Sequence, residues 1–209
     1  MNLKAHWEQA YAMRSPEQLG WYRPRLESSL ALIAAVGLRK DQPLIDVGGG
    51  ASTLVDDLLA LGYERITVAD LSDAALERAR RRLGDRAEAV TWMSADMLTA
   101  ELPAGHYALW HDRAVFHFLT DADDRAAYLG RLRHALAPGG QAVFGVFSPE
   151  APPRCSGLEV RRYTAEALQQ EVGPGFDLAE QQQDLHATPG GVAQPYVYCR
   201  FRRAFPGSV

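Results

Sequence analysis

Cysteine is scarce in this chain of 209 residues, where only Cys155 and Cys199 occur. Two cysteines are no disulfide framework, so a reducing cytoplasm is the expected compartment. No apolar run is long enough to span a bilayer, and the first residues lack the apolar core of a signal peptide. No metal-ligand spacing of the structural kind occurs either. These absences predict a cytoplasmic protein with no membrane partner and no structural metal.

An excess of positive charge is missing as well. The chain has 22 Lys and Arg against 26 Asp and Glu, a net charge of −4, so nothing global favours nucleic acid or an anionic membrane. The four arginines between Arg78 and Arg82 are therefore expected to form a solvated helix face. The length suits one α/β domain with a sizeable core. We expect a small molecule as the partner and a monomer or homodimer as the state.

Short apolar runs alternate with amphipathic segments through the middle of the chain. Strands that alternate with helices imply a parallel sheet with right-handed crossovers. In such a sheet, ligands bind at the carboxyl ends of the strands. The five predicted strands are Leu44–Val47, Ile66–Ala69, Ala89–Met93, His106–Trp110 and Gln141–Phe147. Two more strands are predicted near the C-terminus, over Phe176–Gln182 and Pro195–Arg202, and Ser72 and Thr120 are predicted helix N-caps.

The first predicted strand runs directly into Gly48, Gly49 and Gly50, and an amphipathic helix follows. A strand, a tight glycine turn and a helix N-terminus let backbone N–H groups and the helix dipole face a polar ligand at close range. The second strand ends in Asp70, twenty residues after Gly50. An acid at this position can accept hydrogen bonds from a ribose diol. The two strand ends therefore predict a nucleoside site.

The first strand and its turn read Asp46-x-Gly48-x-Gly50-x-Ser52. This pattern resembles motif I, (D/E)-x-G-x-G-x-G, of the class I S-adenosylmethionine (SAM)-dependent methyltransferases, with Ser52 in place of the last glycine. Further matches follow in the order of the family, across roughly residues 40 to 150. They are Asp70 as the ribose-binding acid, Ser94–Met97 as the acidic segment beside the adenine, and Leu136–Gly140 as the L-x-P-G-G turn before the fifth strand.

The resemblance implies a cofactor, SAM, and a product, S-adenosylhomocysteine (SAH). It also implies a Rossmann-like three-layer α/β/α sandwich with a seven-stranded, mostly parallel sheet and an antiparallel last strand. Residues 1–209 are then one domain, with a helical lid at 1–40, a SAM-binding core at 41–150 and a part that closes the sheet at 151–209. The cofactor-binding residues that it implies are Asp46, Gly48, Gly49, Gly50, Asp70, Leu71, Asp96, Met97 and His111.

Four aromatic residues precede the first strand, on a predicted helix over Leu3–Met13 and in the segment after it. In methyltransferases of this type the N-terminal segment often covers the methyl group, and aromatic faces suit a sulfonium cation. Trp21 and Tyr22 are the candidate lid residues, and Tyr11 follows them. The alternative is that these rings simply pack the N-terminal helices onto the sheet.

The segment after the fourth strand is where such enzymes place residues that face the substrate. It lacks the N-P-P-Y of enzymes that methylate amino groups of nucleic acid or protein glutamine, whereas His117 resembles the first His of the L-H-H-L segment in small-molecule members. Asp112, Arg113 and His117 are the predicted active-site residues, and Arg113 could clamp a substrate carboxylate. Alternatively, Asp112 and Arg113 form a structural ion pair and His117 is a hydrogen-bonded core residue.

The predicted function is transfer of a methyl group from SAM to O, N or S of a small molecule. A soft-metalloid or thiol methyltransferase is an alternative, in which thiolates at Cys155 and Cys199, with His186 as a third ligand, hold the acceptor. An NAD(P)-dependent oxidoreductase would need a complete G-x-G-x-x-G and a Tyr-x-x-x-Lys, Ser–Tyr or zinc set, none of which is found. A catalytically idle partner protein would not be expected to keep the motif acids.

Overall fold

A computed structural model describes residues 3–13 and 15–205. The helices are α1 (Leu3–Met13), α2 (Glu27–Val36), α3 (Leu54–Ala60), α4 (Asp73–Leu83), α5 (Ala122–Ala135) and α6 (Ala165–Val172). The strands are β1 (Leu44–Val47), β2 (Ile66–Asp70), β3 (Val90–Ser94), β4 (Tyr107–Arg113), β5 (Leu136–Phe147), β6 (Arg154–Cys155), β7 (Leu158–Glu159), β8 (Phe176–Ala187) and β9 (Ala193–Arg203). Within the two described ranges, no helix has the length and apolar character needed to cross a bilayer.

Seven of the strands form one sheet in the order β3-β2-β1-β4-β5-β9-β8. The neighbouring pairs from β3 to β5 are parallel, and β9 is antiparallel to both β5 and β8. The predicted seven-stranded, mostly parallel sheet with an antiparallel last strand is confirmed. Strands β6 and β7 form a separate two-stranded hairpin after β5.

Helices cover both faces of the sheet and divide the apolar interior into two cores. On one face Leu132 of α5 and Leu168 of α6 pack with Ile45 and Val47 of β1. On the other face helices α2, α3 and α4 pack against alternating strand positions such as Leu44. A strand that is buried on both faces is mostly apolar, and β1 is apolar except for Asp46. The expected three-layer α/β/α fold is confirmed.

Several element boundaries differ from the sequence-based expectation. Strand β5 begins at Leu136 rather than Gln141, so the predicted L-x-P-G-G turn forms the start of the strand instead of preceding it. Helix α5 is capped by Asp121 rather than Thr120, since the Asp121 carboxylate accepts a hydrogen bond from Asp123 N at 2.8 Å. Strand β4 continues to Arg113, three residues beyond the expected end, because residues 109–113 pair with β5. Strand β8 continues to Ala187, since its partner β9 pairs along nearly its whole length. The cap predicted at Ser72 is confirmed, with Ala75 N donating to its hydroxyl at 3.2 Å.

Helix α1 is docked at the N-terminus of α4, near the carboxyl ends of the strands. The Glu8 carboxylate accepts hydrogen bonds from Asp73 N at 2.6 Å and from Ala74 N at 3.3 Å. Acidic side chains stabilise a helix N-terminus because its first N–H groups have no partner within the helix. An exposed ion pair, Lys4 Nζ to Asp73 Oδ2 at 2.9 Å, lies beside this contact. The N-terminal segment is thereby attached to the edge of the sheet that holds the glycine turn.

Candidate functional site

The glycine turn after β1 has a backbone that other residues would not fit. Gly48 has φ +68° and its N–H donates to Ala69 O at 2.7 Å. A Cβ at Gly48 would overlap the side chain of Val115. Both the left-handed conformation and the close approach therefore require glycine. The turn is thus packed tightly between the tip of β2 and the segment after β4.

Asp70, at the end of β2, is a buried acid that lies against this turn. Asp70 is only 9% exposed, and its Oδ1 accepts a hydrogen bond from Ser72 N at 2.8 Å. Burial, with a smaller contribution from the nearby carboxylate of Asp46, raises the pKa of Asp70 to about 7. The second carboxylate oxygen faces Gly50. Asp70 can accept hydrogen bonds from a diol once it is ionised.

A cavity lies over the carboxyl ends of β1, β2 and β4. Its wall combines the turn and the strand tips with the segment after β3, the N-terminal aromatic rings and the residues after β4. It therefore brings together the predicted site residues Gly48, Asp70, Leu71, Asp96, Met97, Arg113, Trp21 and Tyr11. It also includes Trp7, Phe118 and Cys155. Tyr22 is instead part of a smaller pocket beside the turn.

Aromatic rings from the N-terminal segment and from the turn after β4 cover this cavity as a cluster, which we call the aromatic roof: Trp7, Tyr11, Trp21 and Phe118. Trp7 packs edge-on against Trp21 at 5.5 Å between ring centroids and against Phe118 at 5.1 Å. Tyr11 packs edge-on against Trp21 at 5.7 Å. The sequence-based expectation missed Trp7 and Phe118. The helical spacing of Trp7 and Tyr11, four residues apart, is a signal that places both rings on one face.

Asp46 and His111 do not line the cavity but form a buried network beneath the turn. His111 Nδ1 lies 2.7 Å from Asp46 Oδ1, and His111 Nε2 lies 2.9 Å from Ser29 Oγ. A Cβ at Gly49 would lie 2.8 Å from Asp46 Cγ, so the carboxylate packs directly against the turn. The expected direct contact of Asp46 and His111 with a cofactor is not what the structure shows. Their positions support the turn from below.

Asp112 also differs from the expectation, since its side chain is fully buried and does not line the cavity. The carboxylate accepts hydrogen bonds from Val115 N and Phe116 N, each at 3.1 Å, and from the Tyr128 hydroxyl. Burial raises the pKa of Asp112 to about 6. Neither the expected catalytic contact nor the alternative ion pair with Arg113 is formed. Asp112 instead fixes the chain segment that carries Arg113 and Val115.

Arg113 lies on the wall of the cavity, at the end of β4. Its Nε donates to Tyr198 Oη at 3.0 Å and its Nη1 donates to Trp21 O at 3.0 Å. The guanidinium carbon lies 5.0 Å from the centroid of the Tyr196 ring. The neighbouring tyrosines raise the pKa of Arg113 above its ordinary value, so the group keeps its charge. Arg113 connects the roof, through Trp21, to Tyr198 on β9.

His117 is fully buried behind Arg113 rather than exposed to the cavity. Its Nδ1 accepts a hydrogen bond from Phe147 N at 3.3 Å, and its ring packs edge-on against Phe147 at 4.7 Å. Burial and the charge of Arg113 lower the pKa of His117 to about 3, so the ring is neutral. The expectation that His117 faces the reacting atoms is corrected accordingly. A neutral, fully buried imidazole cannot take a proton from a substrate in the cavity.

The two cysteines are on different faces of the sheet. Cys155 belongs to the core under α2–α4 and lines the cavity, whereas Cys199 packs in the other core with Phe144 and Phe201. Burial raises the pKa of both thiols, that of Cys199 to about 12. The predicted pair of thiolates is therefore not assembled. No group of three or more His, Cys, Asp and Glu that could hold a metal occurs within residues 3–13 and 15–205.

His186, the third ligand of that alternative, is engaged elsewhere. Its Nδ1 accepts from Arg23 Nε at 3.0 Å, and its Nε2 lies 2.7 Å from Gly20 O. It therefore ties β8 to the segment that leads into the roof. The site as a whole can bind a polar nucleoside at the turn, cover it with aromatic rings, and present one fixed cation at Arg113.

Comparison with known proteins places this architecture in one family. Residues 44–140 match a family model described as a methyltransferase domain. Over 122 residues the chain is 34% identical to an uncharacterised methyltransferase of Mycobacterium tuberculosis, and the aligned region covers 56% of each chain. It is 24% identical over 138 residues, 66% of this chain, to an eEF1A lysine and N-terminal methyltransferase of mouse. The chain spans only about a fifth of that relative's length (19%).

Solved structures share the fold over nearly the whole chain. One of them is described as the conversion of a disulfide bond into a thioacetal group during echinomycin biosynthesis. Its TM-score is 0.77 at 20% identity, and the superposition covers 99% of this chain and 95% of that chain. Another, the 1,6-didemethyltoxoflavin N1-methyltransferase of Burkholderia thailandensis with bound substrate and SAH, has a TM-score of 0.71 at 18% identity. It covers 97% of this chain and 87% of its own.

The family match begins at the first residue of β1 and includes the glycine turn, Asp70, Asp96 and Arg113. It ends at Gly140, the last residue of the L-x-P-G-G turn. The matched residues thus contain the motif set whose geometry is described above, on the sheet order expected of that fold. Residues 44–140 match a methyltransferase domain, and the chain has the fold of solved SAM-dependent methyltransferases.

Proposed function

We propose that this protein transfers the methyl group of SAM to a small-molecule acceptor. The observation that carries the proposal is the continuous cavity that contains Asp70, Gly48 and Arg113 under the aromatic roof. It offers a buried carboxylate for a ribose and backbone for an amino-acid tail. Beyond these it offers a separate cationic wall for a second molecule. An oxidoreductase or a protein that only binds a partner would not need all three together.

The cofactor assignment rests on the residues that line the cavity. Asp70 accepts from the ribose hydroxyls, and Leu71, Asp96 and Met97 surround the adenine. The turn from Gly48 to Gly50 meets the amino-acid tail. Trp21 and Tyr11 belong to the roof, where the electron-rich faces of their rings suit a sulfonium. Asp46 and His111 act one layer below and keep the turn in place.

Methyl transfer requires little acid–base chemistry from this site. A lone pair of the acceptor attacks the methyl carbon in line, the bond from carbon to sulfur breaks, and its electrons stay on sulfur to give neutral SAH. Alignment of the two reactants and exclusion of water can supply about 7–11 kcal/mol of the barrier. This agrees with the structure, in which His117 is buried and neutral and the Asp112 carboxylate already accepts hydrogen bonds from Val115 N and Phe116 N. Their role is to position the wall of the cavity.

The roof favours a small acceptor over a protein side chain. Rings from α1, from the segment after it and from the turn after β4 cover the cavity together. Relatives of both kinds exist, since the mouse relative is named for a protein substrate and the Burkholderia structure for a small heterocycle. We further propose that residues 1–40 act as the lid and 151–209 close the sheet of one domain.

Calorimetric titration with SAH and, separately, with NADH tests the cofactor. We expect SAH to bind in the micromolar range and NADH not to bind. Asp70→Asn should weaken SAH, whereas Asp177→Asn, an exposed acid on β8, should not. Binding of NADH alone, or SAH binding unaffected by Asp70→Asn, contradicts the assignment. Growth on arsenite with Cys155→Ser tests the metalloid alternative, and we expect the variant to match the wild type.

A further inference from the structure

Three buried hydrogen-bond donors around Arg113 have no acceptor within the described parts of the chain. They are Arg113 Nη2, His117 Nε2 and the Tyr196 hydroxyl. Both His117 and Tyr196 are at most 1% exposed. A buried donor without a partner costs on the order of 1–3 kcal/mol. Three of them in one place are uncommon in a folded protein and indicate that something binds there.

The three side chains form one cluster. The Arg113 guanidinium carbon lies 5.0 Å from the Tyr196 ring centroid, and the Tyr196 and His117 rings lie 6.4 Å apart. Arg113 itself lines the cavity and Cys155 lies on the same wall. The cluster therefore reaches the cavity through Arg113. None of its three residues is among those proposed to hold the cofactor.

His117 acts here as a donor. Its Nδ1 accepts from Phe147 N at 3.3 Å, so the proton of the neutral ring is on Nε2. The Tyr196 hydroxyl keeps its proton because burial raises its pKa. With the guanidinium, the cluster presents hydrogen atoms only. Such a cluster suits a ligand group that accepts hydrogen bonds and does not need to donate them.

The charge of Arg113 is only partly compensated, because the nearby carboxylate of Asp184, which raises the pKa of Arg113, forms its ion pair with Arg23. No carboxylate forms an ion pair with Arg113 within residues 3–13 and 15–205, and Asp184 is held by Arg23 at 2.8 Å. Its direct partners, the Tyr198 hydroxyl and the Trp21 carbonyl, are neutral. A buried cation is expected to have a counter-charge. The donors without an acceptor therefore lie where Arg113 has no carboxylate of its own.

We propose that the methyl acceptor carries a carboxylate, which binds to Arg113 on the cavity wall and reaches the His117 and Tyr196 donors, which the free protein keeps buried behind that wall. The inference rests on the proposed function, because it names the chemical class of the acceptor at the same site. The carboxylate anchors the molecule at the cationic wall, so that the remainder of the acceptor extends toward the methyl group. Arg113 is then a substrate-binding residue, and Tyr196 and His117 determine specificity for an anion.

Benzoate and benzamide are suitable probes, since they differ by the charge and share the ring. The full chain, saturated with SAH, is titrated with each by calorimetry. We expect benzoate to bind at least about tenfold tighter than benzamide, a preference typical of a charged hydrogen bond. Arg113→Met should erase the preference. Tyr196→Phe should weaken benzoate about tenfold without lowering the Tm, because the lost hydroxyl has no partner in the free protein.

Tyr163→Phe is the matched control, since it removes a buried hydroxyl in the other core. It should bind benzoate like the wild type. Equal binding of benzoate and benzamide, or a preference that survives both Arg113→Met and Tyr196→Phe, overturns the inference. Titration with SAH alone reports on the proposed function separately. If SAH does not bind, the same benzoate titrations without it still decide the anion site.

Discussion

The carboxylate of Asp70 lies directly against the backbone of Gly50. A Cβ at Gly50 would overlap Asp70 Oδ2 and would lie 2.9 Å from the Cβ of Ala75. Glycine at this position is therefore what lets the acid reach the turn. The same packing removes the carboxylate from water, which raises its pKa to about 7. The residue proposed to bind the ribose is thus partly protonated near neutral pH before a ligand arrives.

Affinity for SAH should consequently fall as the pH drops below 7. Only the ionised Asp70 accepts hydrogen bonds with both oxygens, and each pH unit below its pKa lowers the ionised fraction about tenfold. Calorimetric titrations between pH 5.5 and pH 8 measure the effect. Asp70→Asn should show weak binding with a flatter profile over this range. A wild-type profile that is flat between pH 5.5 and pH 8 would contradict the role given to Asp70.

Asp70→Asn should also stabilise the free protein at alkaline pH. The pKa of Asp70 rises from its model-peptide value of 3.8 to about 7 on folding. Stability linked to this group is therefore fully present below 3.8 and is lost as the pH rises through 7. The amide carries no charge to bury, so the gain at pH 8 is on the order of a few kcal/mol. Thermal unfolding of both proteins at pH 5 and pH 8 should show a larger Tm difference at pH 8.

Gly48→Ala should destabilise the protein and abolish SAH binding. The methyl group would overlap the Val115 side chain, and Gly48 has φ +68°. Strain of this kind costs on the order of 1–3 kcal/mol, to which the overlap adds. Gly62→Ala is the control, because Gly62 has φ +83° but nothing within 4 Å of the added Cβ. Urea unfolding separates the two, and equal losses would show that only the backbone angle matters.

The mostly parallel, seven-stranded sheet and the lining of the cavity by Gly48, Asp70 and Met97 were predictable from sequence and its family resemblance. Apolar runs indicate buried strands, and a glycine turn and an acid at the strand ends indicate the edge of the sheet where ligands bind. Position within a motif did not reveal whether a side chain points into the cavity. Asp46 and His111 belong to the correct strands, yet they face the core beneath the turn.

The partners of Asp112, Arg113 and His117 were not predictable, because they come from distant parts of the chain. Tyr198 and Trp21 reach Arg113 from 85 and 92 residues away, and Phe147 reaches His117 across 30 residues. Neither local propensity nor periodicity encodes such pairs. The cap at Asp121 was missed for a simpler reason. Thr120 and Asp121 are both good capping residues, and only the backbone angles decide between them.

Asp112→Ala should destabilise the protein by about 2–4 kcal/mol. The change leaves the Tyr128 hydroxyl and the N–H of Phe116 buried without their acceptor. Asp121→Ala removes a carboxylate with a similar capping role at an exposed helix start, and should cost only about 1 kcal/mol. Urea unfolding monitored by tryptophan fluorescence measures both. A smaller loss for Asp112→Ala than for Asp121→Ala would contradict the structural role.

Glu8→Ala should open the roof and speed the release of SAH. Glu8 holds α1 to the N-terminus of α4 through two N–H groups, and α1 carries Trp7 and Tyr11 over the cavity. Loss of such a cap costs about 1 kcal/mol, so dissociation of SAH measured by stopped-flow tryptophan fluorescence should be about fivefold faster. Lys4→Ala is the control, since it removes only an exposed ion pair on the same helix. Exposed pairs contribute little, so its release rate should match the wild type. If both variants release SAH at the wild-type rate, α1 does not act as a lid, and its aromatic rings only pack the helix onto the sheet.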